Sequence, residues 1–211
     1  MKVISTNIGK ATAIEWNGET IETGIFKYPT SDAIFLQKED VANDTISDRK
    51  HHGGIYKACY LFSSDNYGFW KEKYPDLDWN WGMFGENLTI TGLDESQIRI
   101  GNVYKIGNAL VQVTQPREPC FKLGIRFKNQ EVLKQFIVHE KPGTYVKILE
   151  EGSVTTGDSV ELIEKSENPL TVKQFYHLLY MREKDNGLIK LALKNTALPL
   201  YKRERLQKIA K

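Results

Sequence analysis

"ALVQVTQPREPC", Ala109–Cys120, joins a strand to a helix through two prolines. Its first half alternates apolar and polar residues around Val111 and Val113, the period-2 pattern of a half-buried strand. Pro116 has no N–H to give to a ladder, so the strand ends there. Pro119 suits the first position of a helix, and "PCFKLGIRF" predicts one. A cysteine is thereby fixed in a stiff backbone close to Arg117, which a cysteine that merely packs does not need.

The same β character extends outward on both sides. "KVIST", "TAIEW", "TIETGIF", "DAIFLQ" and "YKACYLF" precede the segment as strands separated by Gly, Asn and Pro, and "ENLTITG" and "NVYKIG" lead into it. "SSDNYGFWKEKYP" reads as a helix with Ser64 as N-cap and Tyr74-Pro75 as its stop. After the central segment, "NQEVLKQFIVHE" predicts another helix. "GTYVKILEEGSVTTGDSVELIEK" predicts strands with turns at Glu151-Gly152 and Gly157-Asp158. Many strands with few helices suggest a barrel-like β domain. The character changes around Glu164–Asn168. "TVKQFYHLLYM", "DNGLIKLALKN" and "LPLYKRERLQKIAK" then have helical spacing. This tail is too small for a core of its own and is expected to pack on the β domain or on another chain.

The 211 residues are 40% hydrophobic and 27% charged, with a net charge of +2. That balance is ordinary for a globular chain and argues against a protein built to hold nucleic acid. No stretch approaches the length needed to span a bilayer, and the start "MKVISTNIGK" does not resemble a signal peptide. Cys59 and Cys120 do not form a disulfide framework, so a cytoplasmic protein with free thiols is expected.

Several chemistries are excluded by their motifs. "NIGKAT" lacks the leading glycine and the Ser/Thr of a P-loop, and there is no GxGxxG, GxSxG or HExxH. His51, His52 and Cys59 have no common zinc spacing. Cys120 remains the main candidate. It is either a small buried hydrophobe or a thiolate favoured by the first turn of a helix, with Arg117 and Lys122 nearby. Cys59, in an apolar strand, reads as inert. "KHHGG" is a sharp turn that either brings backbone to a ligand or simply closes a hairpin. "FGENL" is a turn with Glu86 and Asn87 as hydrogen-bonding groups. Arg117 suits an anion, phosphate above all, or a surface ion pair. The basic stretch "YKRERLQKIAK" is a solvated helix face or a dock for an acidic redox partner.

Taken in order, "HHGGIYKACY", "FGENLTITGL", "IGNALVQVTQPREPCFKL" and "GTYVKILEEGSVTTGDSVEL" resemble the MOSC domain, named for the C-terminal part of molybdenum cofactor sulfurase. Within that family the chain is similar to the YiiM-like, hydroxylaminopurine-resistance proteins, which carry a small three-helix extension. The resemblance implies a mostly β fold with α: a MOSC-type β-barrel domain over residues 1–165 that binds a molybdopterin-type molybdenum cofactor, and a C-terminal three-helix extension over 166–211. The family's cysteine falls on Cys120, as metal ligand and catalytic residue. Its HGG falls on His52, Gly53 and Gly54, followed by Lys57. Its GEN falls on Gly85, Glu86 and Asn87, and its QPR on Gln115, Pro116 and Arg117. These are expected to line the cofactor pocket, with Arg117 and Lys57 on the pterin phosphate. Gly143, Tyr145, Gly157 and Asp158 are expected to be mainly structural.

Asn43-Asp44 and Gly101-Asn102 stand where the family usually has Gly-Asp, and Thr144 where it often has an aromatic. Asparagine tolerates the left-handed conformation, so the turn at Asn43 is expected to survive. The implied activity is reduction of N-hydroxylated compounds such as N-hydroxylaminopurines. Reduced molybdenum takes the oxygen and the amine is released. No haem, flavin or iron–sulfur motif is present, which implies a separate electron-donating reductase. Two alternatives stand beside this reading: a non-catalytic cofactor carrier, and a metal-free Cys120 nucleophile.

Overall fold

The computed structural model describes residues 1–49, 53–180 and 182–209. Its centre is an eight-stranded sheet. In chain order the strands of that sheet are β1 (Lys2–Gly9), β4 (Lys27–Thr30), β6 (Cys59–Ser63), β7 (Leu88–Thr91), β8 (Val103–Ile106), β9 (Ala109–Pro116), β10 (Thr144–Glu150) and β12 (Val160–Glu164). They lie in the order β12-β8-β9-β10-β6-β7-β1-β4. Two small pairs stand apart from it: the hairpin β2 (Thr12–Trp16) with β3 (Glu19–Thr23), and β5 (Ile34–Leu36) with β11 (Gly152–Val154). The β2–β3 turn is Asn17-Gly18 with φ of 52° and 82°, the double positive φ of a tight hairpin.

The sheet curls without closing into a complete barrel. Its near-closure is made by backbone bonds from Val160 N to Met1 O (3.0 Å) and from Val3 N to Asp158 O (2.9 Å). β6 and β7 are its parallel pair, and all other neighbours are antiparallel. A parallel pair needs a crossover, and here the crossover carries helix α1 (Tyr67–Lys73). Trp70 and Phe84 of that crossover pack face-on and edge-on against Phe62, Phe127 and Phe136 in an aromatic core. Short helices α2 (Phe121–Arg126) and α3 (Glu131–His139) complete it.

The C-terminal helices are α4 (Val172–Tyr180), α5 (Asn186–Lys194) and α6 (Leu200–Ile209). Asp185 caps α5, accepting from Gly187 N and Leu188 N. Leu170, Val172, Phe175, Ile189 and Leu198 belong to the same buried apolar cluster as Val111, Val113 and Val146 of the sheet. The tail therefore packs on the β layer, as its small size requires.

Four local expectations are corrected. Ser64 does not cap α1; its hydroxyl bonds Asp65 (3.1 Å), and a 3-10 turn precedes Tyr67. Ile55–Lys57 is a 3-10 turn, and β6 begins only at Cys59. Gly54, at φ 89°, breaks the extended run before that turn. β4 contains Pro29 and was not expected from the sequence; it lies at the sheet edge, where a missing N–H is tolerated. Cys120 lies just outside its helix rather than in the first turn. It is the N-cap, extended at φ −129° and ψ 168°, because the two prolines keep the loop extended up to it. No helix among the described residues is long and apolar enough to cross a membrane.

Candidate functional site

A cavity of about 630 Å³, counted out to the solvent at its mouth, opens beside Cys120. Its walls come from segments far apart in the chain: 23–27 after β3, 44–48, the turn at Lys57, Phe84–Gly85, and the loop from Arg117 to Lys122. The sheet brings them together, because β1 and β9 end here and β6, β7 and β10 begin here.

Cys120 is half-buried and lines the cavity; Cys59 is fully buried and lies in the core. Burial pushes the Cys59 thiol far up, so it is inert. Arg117 is 5% exposed. Its guanidinium carbon lies 5.5 Å from the Tyr60 ring centre and 5.4 Å from that of Phe136. Its Nη1 is buried and has no hydrogen-bond partner among the described residues. A buried, charged donor without a partner is costly, and an anion in the cavity would satisfy it. Lys57 and Lys122 also line the cavity. Burial, and then Lys202, lowers the pKa of Lys57, while Glu118, Asp48 and Cys120 oppose this.

Asp44 anchors one wall. It accepts from Gly9 N (2.8 Å) and from Asn87 Nδ2 (2.9 Å), and it forms a buried ion pair with Lys27. Asn43 just before it has φ 64°, the left-handed turn expected of asparagine. Asn87 also receives Tyr60 N on its Oδ1 (3.2 Å), which locks β6 to β7. Gly85, at φ 77°, faces Ile25 so closely that a Cβ would sit 3.2 Å from that side chain.

Four of the sequence-predicted pocket residues, Gly53, Gly54, Glu86 and Gln115, do not line the cavity. Glu86 is fully buried and gathers four donors: Tyr67 Oη, Gly82 N, Phe84 N and Thr89 Oγ1. Burial raises its pKa, and those hydrogen bonds oppose the rise. Gln115 receives the Tyr201 hydroxyl on Oε1 (3.3 Å) and reaches Tyr56 O with Nε2 (3.4 Å). Gly53 and Gly54 form the bend before the Lys57 turn. Gly53 fits tightly, since a Cβ there would meet Arg49 backbone at 3.1 Å. His52 lies outside the described residues. The structure thus brings Lys57, Gly85, Asn87, Arg117 and Cys120 together around one cavity.

Sequence reasoning missed Lys27, Asp44 and Tyr60 as site residues, and it took Tyr145 as structural although it lines the cavity. Burial pushes the Tyr145 hydroxyl up to about 12 against the pull of Arg117, so it remains a protonated donor at neutral pH. Only Asn43-Asp44 carried a signal, a turn dipeptide at a family position. Trp16, at the tip of the β2–β3 hairpin, stacks on Phe121 next to Cys120 with ring centres 4.7 Å apart.

Chemically, the site offers a thiol, a guanidinium with one unpartnered nitrogen, and amines around a cavity. That set suits a soft metal and an anionic group. No group of three or more His, Cys, Asp or Glu among the described residues could hold a metal ion alone. A metal at Cys120 would take its other ligands from a cofactor.

Comparison with known proteins agrees with this architecture. The MOSC domain model matches residues 48–161, more than half of the chain. YflK of Bacillus subtilis, an uncharacterized protein, is 36% identical over 93% of this chain and 88% of its own length. A protein described as a reductase from Gibberella moniliformis is 31% identical over 87% of this chain, which spans only 32% of that longer protein. The crystal structure of YiiM from Geobacillus stearothermophilus superposes with a TM-score of 0.83 at 28% identity, covering 100% of this chain and 99% of that one. The chain belongs to the MOSC domain family and is a YiiM-like member of it.

Proposed function

We propose that this chain is a molybdenum-cofactor-dependent reductase of N-hydroxylated compounds, N-hydroxylaminopurines among them, with the Cys120 thiolate as metal ligand. The observation that carries the reading is the unpartnered buried Nη1 of Arg117 at a cavity that also exposes Cys120. A cofactor joining a molybdenum centre to a phosphate-bearing pterin asks for this pairing of thiolate and guanidinium. Membership of the MOSC family and similarity to a protein described as a reductase support it further.

When bound, the cofactor supplies the two-electron, oxygen-accepting chemistry. The chain's residues bind and orient. Arg117 and Lys57 hold the phosphate, and Cys120 holds the metal in one direction. Gly85 and Asn87 shape the wall, while Glu86 and Gln115 act through the bonds that hold it. Gly53 and Gly54 place the turn that leads into Lys57. His52 is assigned a hydrogen bond to the cofactor by its motif position. The Tyr145 hydroxyl, protonated at neutral pH, is available to a group bound in the cavity it lines. Electrons come from a separate reductase protein, and the free thiols fit a cytoplasmic setting.

The test is reduction of an N-hydroxylaminopurine by cofactor-loaded protein with a reduced viologen dye as donor. Amine formation that disappears with Cys120→Ala supports the reading. Bound cofactor with no reduction of any N-hydroxylated compound overturns it in favour of a carrier.

A further inference from the structure

The loop that carries Cys120 is held from outside the sheet. Beyond the end of β9, the N–H groups of Glu118 and Cys120 donate no backbone hydrogen bond to a described residue. Two side chains instead fix the loop from opposite sides. Arg117 points inward onto Tyr60 and Phe136. Glu118 points outward and pairs with Lys202 of α6. One residue along the tail, Tyr201 bonds Gln115 at the end of β9. Lys202 is 4% exposed, so its ammonium has little water to turn to and depends on Glu118.

From this geometry we infer that Lys202 is a positioning residue for Cys120, and that the C-terminal helices are a working part of the site rather than an appendage. The inference rests on the reading of Cys120 as the site's working thiol. The ion pair holds Glu118 outward, and Pro119 passes that constraint rigidly to Cys120. Losing the pair frees the loop to open locally while the sheet and its core remain intact. Lys202 touches neither metal nor substrate; it acts through Glu118.

The test is the rate at which iodoacetamide alkylates Cys120 in cofactor-free protein, read by mass spectrometry on the peptide that carries it. Cys59 is fully buried and serves as an internal control. Lys202→Met and Glu118→Gln are each expected to raise the rate about threefold or more through local opening. The double charge swap, Glu118→Lys with Lys202→Glu, is expected to return it toward the wild-type value. Glu118→Gln is nearly isosteric at a half-exposed side chain, so it decides the matter if Lys202→Met fails to fold. Wild-type rates in the single variants, no recovery in the swap, or no alkylation of Cys120 in any form would overturn the inference. Because no cofactor is present, these outcomes are separate from failure of the proposed reductase activity.

Discussion

The guanidinium carbon of Arg117 lies 5.4 Å from the centre of the Phe136 ring, and the buried Nη1 beside it has no hydrogen-bond partner among the described residues. An aromatic face offsets part of the desolvation of a cation, by about 2 kcal/mol when buried, but it does not supply the missing acceptor. Arg117→Met is therefore expected to bind inorganic phosphate about tenfold or more weakly, since hydrogen bonds to charged groups contribute roughly 1.5–3 kcal/mol. Its ligand-free Tm is expected to stay within a few degrees of wild type. Thermal shift with and without phosphate measures both. A large drop in ligand-free Tm with unchanged phosphate stabilisation would show that Arg117 serves the core alone.

Asp44 ties the cavity wall to β1 and β7 through Gly9, Lys27 and Asn87. Asp44→Ala leaves the Lys27 ammonium buried without its partner, which is expected to cost about 3–5 kcal/mol. Urea unfolding should show that loss as a lower midpoint at unchanged slope. Asp44→Asn keeps an acceptor for Gly9 N–H and should lose less.

Glu95 is buried, and it accepts the Gly143 N–H (2.8 Å) at the start of the strand that carries Tyr145. Burial raises its pKa from 4.5 to about 7, opposed by its hydrogen bonds and by Lys141, with Asp94 adding to the rise. The folded protein therefore binds this proton more tightly than the unfolded chain does. The resulting stability is full below about pH 4.5 and is lost as the pH rises toward 7. The loss amounts to about 3 kcal/mol at most. Glu95→Gln should flatten this part of the stability–pH curve, as measured by denaturant unfolding from pH 4.5 to 8 at about half-unit steps. An unchanged slope would place the titrating group elsewhere.

The tail shares the apolar cluster of the sheet, with Leu170, Val172, Phe175 and Leu178 all buried in it. Each such side chain contributes about 1.5–3 kcal/mol on burial, and a small domain has only about 5–15 kcal/mol in total. A chain ended at Lys165 is expected to lose its cooperative thermal transition. A truncated chain with a wild-type transition would establish residues 1–165 as an independent unit.

How legible each feature was depended on how local its cause is. β9 and β10 alternate along their own length, so their strands could be read directly. The kinked loop at Cys120 could be read because two prolines announce it. β4 could not, because Pro29 argues against a strand until its edge position is known. Lys27 carries no motif and Asp44 only a turn dipeptide; they become a pair only when β1, β4 and the loop after β5 meet in space. Glu86 looked like a pocket ligand because its motif neighbours line the cavity, yet its carboxylate is taken up by donors of the protein itself. Lys202 looked like one charge on a solvated helix face, and only the packing of α6 shows it buried against Glu118.

The central claim is that Cys120 holds a molybdenum centre whose pterin phosphate rests on Arg117. Metal and pterin content of protein purified from a host that makes the cofactor tests it most directly. Near-stoichiometric molybdenum with pterin in the wild type, and loss of most of it in Cys120→Ser, is the predicted result. A wild-type protein without molybdenum, or a Cys120→Ser protein that retains it, would contradict the account.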